Sequence, residues 1–273
     1  LGNCANGRPV WFDRAAYEAD LIVPINRVKL HTDFVGPIQS GLCKMLVIGL
    51  GNHKGCSAVH EEAPEVFADA IEETARLILQ KAPVGFGIAI LENAYDKTYA
   101  VEAVPAEHLV EREKELVQIA KGNMPYIMLD EADVIVCGAI GKDISGAGFD
   151  PNILGRSSVL KQFVLHIPRY QRLVLCDVTP ASHGNGIGVG LFDVITKKVA
   201  EQLDLESMYA NAIACNCLGD ASVPCTVDDE ETAIRVALKC CRNIDRDHPR
   251  IIRIQNTLHL GEIEVSEALL DAV

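Results

Sequence analysis

The chain has 273 residues, a formal net charge of −13 and a pI near 5.0, with 49% hydrophobic and only 5% aromatic residues. Such a length buries a large core and suits two domains. The acidic balance argues against nucleic acid and anionic membrane as partners, and no apolar run approaches a membrane span or forms a signal peptide. High aliphatic and low aromatic content fits an α/β protein with parallel strands. Ten cysteines without a paired CxxC read as thiols in a reducing, cytoplasmic setting. A zinc or iron–sulfur site from Cys215, Cys217 and Cys225 is the lesser reading.

Asp20–Ile25 is an apolar run that predicts a buried strand. Asn26, Arg27 and Lys29 follow; Lys29 is either a phosphate contact or a solvated lysine. The segment from His31 to His60 is the densest in chemistry-bearing residues. It holds His31, Ser40, Gly41, Lys44, His53 and His60, with glycines also at 36, 49, 51 and 55. Glycine lets backbone approach a ligand closely. Histidine suits proton exchange near neutral pH and metal ligation, and a lysine among such groups can be a nucleophile. Met45–Leu50 reads as a strand or short helix. Helical spacing marks 61–81 and 105–121, with Leu109, Leu116 and Ile119 inward in the second and charges outward. Phe86–Leu91 and Tyr99–Val104 read as strands, and Gly122-Asn123 as a helix stop beside a domain boundary.

In the second half, Ala132–Cys137 predicts a strand that enters a polar, glycine-rich loop with Lys142, Asp143, Ser145, Asp150, Asn152 and Arg156. The P-loop pattern is absent. The loop reads as a site for a carboxylate or polyol, with Lys142 or Arg156 as the cation. Leu173–Val178 predicts another strand, followed by Thr179 to Gly188 with His183 as an acid/base or a structural histidine. Gly184, Gly186 and Gly188 do not form GxGxxG. A helix over 191–203, a strand over 210–215, a helix over 228–241, a strand over 250–254 and a terminal helix over 265–273 complete the expectation, with His259 structural.

A resemblance adds to this reading. Leu1-Gly2, Gly7-Arg8-Pro9-Val10, Ala19-Asp20, and then His31, Phe34, Gly36, Ser40, Gly41, Lys44 and His60 in order resemble the nickel-dependent lactate racemase family, with sixteen residues from Lys44 to His60. The interval from His31 to Lys44 is longer than the family pattern, and Leu42-Cys43 stands in place of Gly-Arg, which marks a divergent branch. The resemblance implies a nickel-pincer nucleotide attached covalently through Lys44, with Ser40 and Gly41 beside it. It implies His60 as the metal ligand and His31 as a general acid/base. It also implies cofactor-maturation proteins as partners. The chain starts at Leu1 without a methionine, so upstream sequence is expected, and the family's second acid/base histidine would lie there.

The expected architecture is α/β, two domains with mainly parallel sheets flanked by helices. Residues 1–122 form a partial cofactor-binding domain and 123–273 a substrate domain, with the active site in the cleft between them. The expected activity is racemisation or epimerisation of a 2-hydroxy acid or sugar acid, with His31, His183 and Lys142 as catalytic or substrate-binding groups. Self-association into a homo-oligomer is left open. Two other classes compete: a non-catalytic nucleotide or sugar-acid binding protein, and a metal-dependent hydratase or aldolase built on His31, His60 and Asp143.

Overall fold

The computed structural model describes residues 1–272. The chain is a mixed α/β protein that divides into two compact units, Leu1–Met124 and the remainder from Pro125. The first unit opens with a short antiparallel ribbon, β1 (Gly2–Asn3) and β2 (Pro9–Val10), then a single helical turn, α1 (Arg14–Tyr17), capped by Asp13. Its main sheet has the order β3 (Ile25–Arg27), β4 (Phe86–Glu92), β5 (Thr98–Pro105). β3 runs parallel to β4, and β5 antiparallel. Between β3 and β4 lie α2 (Leu42–Lys44), which continues as a π-helical turn over Met45–Gly49, then α3 (Asn52–His60) and α4 (Phe67–Lys81). α5 (Leu109–Asn123) follows β5.

Burial explains the layering. β4 alternates, with Gly87, Ala89 and Leu91 buried, as a strand covered on one face must. α4 buries Phe67, Ala70, Ile71, Thr74, Ala75 and Ile78, a stripe at three- and four-residue spacing. Leu42, Leu46, Ile71, Ile78, Leu109 and Leu116 are fully buried and form the body of this unit's core. The apolar run from Asp20 is not a buried strand. Ile22 and Pro24 are buried, Ile22 in an isolated pairing with Val84, while Leu21 and Ile25 are exposed and β3 begins at Ile25.

The second unit is a six-stranded sheet in the order β11-β10-β6-β7-β8-β9. Its strands are β6 (Val134–Cys137), β7 (Arg172–Leu175), β8 (Val194–Thr196), β9 (Cys225–Val227), β10 (Ile251–Ile254) and β11 (Glu264–Val265). All neighbours are parallel except the edge pair β10–β11. β6 is buried at all four positions, as a central strand covered on both faces is. α6 (Pro151–Leu154), α7 (Lys197–Gln202), α8 (Leu205–Ala214) and α9 (Glu230–Lys239) connect the strands. Ala233 and Ala237 of α9 pack against Val134, Val136, Val174 and Val194. The chain runs outward from β6 to β7 on one side and returns through β10 on the other. The carboxyl ends of β6 and β10 therefore mark a topological switch point, where open α/β sheets place ligands.

Three further expected elements differ. The helix over 191–203 is instead a turn, strand β8 and helix α7, because Val194 and Ile195 complete the parallel ladder beside β7. The strand over 210–215 is the end of α8, whose buried Met208 and Ala212 are four residues apart. The terminal helix is a 3-10 segment, Glu267–Ala272, after β11; Val273 lies outside the described residues.

Candidate functional site

The site of the first unit is built where the chain leaves β3. Lys29 and Ser40 pair through their backbones, with Lys29 N to Ser40 O at 2.9 Å and Ser40 N to Lys29 O at 3.1 Å. They close a loop over residues 30–39. The buried Gln39 side chain braces that loop from inside: its Oε1 accepts from His31 N at 2.8 Å, and its Nε2 donates to Gly36 O at 3.1 Å. Ser40 thus appears as a loop-closing residue. Gly41 begins the turn into α2, and its carbonyl accepts from Met45 N and from Asn26 Nδ2.

Lys44 ends α2, half-buried, with Nζ in hydrogen-bond contact with Nε2 of His31. The other ring nitrogen of His31, Nδ1, accepts from Asp33 N at 3.0 Å. The His31 ring stacks on Phe34 with centroids 4.3 Å apart; Phe34 meets Phe67 at 4.8 Å, and Phe67 meets His60 edge-on at 4.9 Å. This run of rings places both histidines on one aromatic wall. His60 ends α3, exposed, and its Nδ1 bonds Cys56 O at 2.8 Å. That bond leaves Nε2 as the nitrogen presented outward, the arrangement in which metal-ligating histidines are commonly held. Burial holds the His31 pKa well below its usual 6.5, and the neighbouring basic groups Lys44, His60 and Lys29 act in the same direction. At neutral pH its ring is uncharged.

Sequence reasoning missed Glu113. It lies on α5, which was read with its charges outward, yet Glu113 is fully buried. Its Oε2 accepts from Cys43 N at 2.9 Å, so it caps the helix that carries Lys44 from an element 70 residues away. Its Oε1 is buried and finds no hydrogen-bond partner among the described residues. Burial pushes this carboxyl up to about 7. The neighbouring Cys43 thiol is pushed well above its usual 9.0, by burial first and Glu113 next, so it stays protonated and unreactive. Gly41 is required here: a Cβ on it would lie 2.6 Å from Glu113 Cδ. The one available signal was spacing, since Glu113 falls four residues after Leu109 and three before Leu116, on the buried stripe, while Ile119 is partly exposed.

In the second unit, the loops after β6 and β7 are tied together. Lys142 N donates to Ser182 Oγ at 2.8 Å, Thr179 Oγ1 donates to Asp143, and Thr179 Oγ1 meets Ser182 Oγ at 2.9 Å. Lys142 Nζ donates to Gly146 O at 2.6 Å. His183 is exposed and left-handed at φ +48°, closing the turn after Ser182. Three members of the expected carboxylate site have structural partners. Asp150 caps α6 through Asn152 N, and Asn152 is buried behind it. Arg156 is held by Asp193 at 2.7 Å and Leu191 O at 2.9 Å and lies over the Tyr170 ring. A guanidinium so engaged positions the start of β8. His259 bonds Asn256 Oδ1 through its own backbone N–H at 2.9 Å.

Among the described residues, no group of three or more His, Cys, Asp or Glu is placed to hold a metal ion. Cys215, Cys217 and Cys225 therefore do not assemble a centre, and the hydratase reading finds none ready-made. No helix among the described residues is long and apolar enough to cross a membrane.

No family model and no curated protein matches the chain. Among solved structures it is similar to the lactate racemase apoprotein from Thermoanaerobacterium thermosaccharolyticum, at 13% identity and a TM-score of 0.47. The alignment covers 94% of this chain and 66% of that one, so the chain spans just under two thirds of that protein's length.

Proposed function

We propose that the chain is the lysine-bearing part of a 2-hydroxy-acid racemase or epimerase that uses a lysine-linked nickel-pincer nucleotide. The observation that supports this best is the pairing of Lys44 Nζ with His31 Nε2, with His60 on the same aromatic wall. The residues fit the group. Lys44 offers an amine for attachment, and His60 offers a single ligand nitrogen whose partner nitrogen is tied to a carbonyl. One protein ligand suffices when the rest of the coordination sphere comes with the cofactor.

When bound, such a group supplies a hydride acceptor and donor, which spares the substrate a carbanion at a weakly acidic C–H. The chain's own residues do the remainder. His31 presents Nε2 to the substrate oxygen, since Nδ1 accepts from Asp33 N–H; an uncharged ring held this way carries its proton on Nε2 and supplies the donor half of the exchange, a hydrogen bond to that oxygen. Gln39 and Phe34 hold the ring at that angle. In the second unit, Lys142 serves as the carboxylate cation and His183 as a further proton-exchanging or hydroxyl-binding group.

The test is co-expression with cofactor-synthesis enzymes under anaerobic conditions, followed by intact-mass and peptide analysis. An adduct mapped to Lys44, with stoichiometric nickel that is lost in His60→Ala, is the expected result. An adduct retained in Lys44→Ala would sink the assignment. Nickel-free protein that still binds sugar acids would favour a non-catalytic binding protein.

A further inference from the structure

We infer that Lys44 stands as a neutral amine before anything is attached to it, and that His31 is the residue that holds it so. The argument is a count of protons. The backbone N–H of Asp33 can only donate, so His31 Nδ1, which it meets at 3.0 Å, carries the lone pair. An uncharged imidazole with its lone pair on Nδ1 has its one proton on Nε2. Nε2 is the atom in contact with Lys44 Nζ. The imidazole therefore donates and the lysine accepts. An ammonium has three donors and no lone pair, so only –NH2 can fill that place.

The surroundings agree with this count. Lys29 and His31 come from the segment after β3, and His60 from α3. Burial first, and the neighbouring Lys29 cation with it, bear unfavourably on a charged His31. The acid that approaches this turn is Glu113 from α5, and it is spent on Cys43 N. Its own burial draws it toward the uncharged form near neutral pH.

His31 thus has a task that precedes turnover: it is a positioning residue that keeps a nucleophile ready for an activated carboxyl group. In that step the Nζ lone pair forms a bond to the acyl carbon. The bond to the leaving group breaks with its electron pair, and one amine proton passes to solvent. The product nitrogen is an amide and no longer accepts, so attachment releases His31 Nε2 for the substrate. The use in attachment rests on the function proposed above; the charge state of Lys44 does not.

The experiment is competitive acetylation of the full chain with trace acetic anhydride across a pH series, read lysine by lysine by mass spectrometry. Exposed Lys97 serves as the internal standard. Lys44 should reach half-maximal reactivity at least about two pH units below the ordinary lysine value of about 10.4. In His31→Phe, which keeps a ring against Phe34 but no nitrogen, the profile should return to that of Lys97. A parent profile for Lys44 that matches Lys97 overturns the inference, as does a shifted profile that survives in His31→Phe. If that variant fails to fold, the parent profile alone decides. A shifted profile with no adduct upon co-expression refutes the proposed function and leaves this inference standing; an adduct with an ordinary profile does the reverse.

Discussion

Glu113→Gln is the most telling single perturbation of this molecule. The carboxyl is fully buried, caps the Lys44-bearing helix through Cys43 N, and is pushed from 4.5 up to about 7 by burial. The folded protein therefore binds this proton more tightly than the unfolded chain. Stability associated with Glu113 is fully present below the unfolded value of 4.5 and is lost as pH rises through the folded value of about 7. At about 1.4 kcal/mol per unit, the loss across that window comes to about 3–4 kcal/mol. Glutamine keeps the shape and an acceptor oxygen for Cys43 N but has no proton to lose. The stability of the variant relative to the parent should thus climb between pH 4.5 and 7 and stay level above it. Urea unfolding followed by tryptophan fluorescence isolates the effect, because the chain's single tryptophan, Trp11, lies in the first unit. A parent–variant difference that does not change with pH would refute the reasoning, and with it the buried, half-satisfied state of the carboxyl.

The difference between Glu113 and His31 shows what kind of information a sequence carries. His31, Lys44 and His60 lie within thirty residues, and local spacing was enough to single them out. The partner of Glu113 is a backbone N–H 70 residues earlier, which composition and periodicity do not encode. β6 and β7 were legible because a central parallel strand is a continuous apolar run. Val194-Ile195-Thr196 and Ala210 to Cys215 were not, because a run of three to six apolar residues satisfies helix and strand alike until a neighbour supplies the ladder or the packing face. Arg156 shows a related limit: a cation after a buried strand is equally suited to a substrate carboxylate and to Asp193, and only the fold brings Asp193 to it.

The remaining predictions concern residues of each unit in turn. Gly41→Ala places a Cβ 2.6 Å from Glu113 Cδ; overpacking of that kind costs on the order of 1–3 kcal/mol, read as a lower urea midpoint in Trp11 fluorescence. Gly41→Ala combined with Glu113→Ala should recover part of the loss, and no recovery would mean the clash is elsewhere. His31 acts on stability with the opposite pH sign to Glu113. Its folded value lies below 6.5, so stability falls as pH drops through 6.5 and the unfolded chain takes up the proton; His31→Phe should flatten that acid limb, and an unchanged limb would show that the ring is not buried as described. Lys142→Ala tests the second unit on cofactor-loaded enzyme. In the structure Nζ donates to Gly146 O; a charge-assisted bond to a substrate carboxylate is worth about 1.5–3 kcal/mol. KM for a 2-hydroxy acid should rise about tenfold or more, at about 1.4 kcal/mol per factor of ten, with cofactor loading little changed. The companion variant for His183 must respect its backbone: at φ +48° alanine would add strain, whereas asparagine tolerates the left-handed region. His183→Asn therefore removes the imidazole without disturbing the turn, so a fall in kcat reads the ring's chemistry. If both variants turn over substrate as the parent does, the two glycine-rich loops serve only to tie β6 to β7, and the carboxylate is bound by other residues.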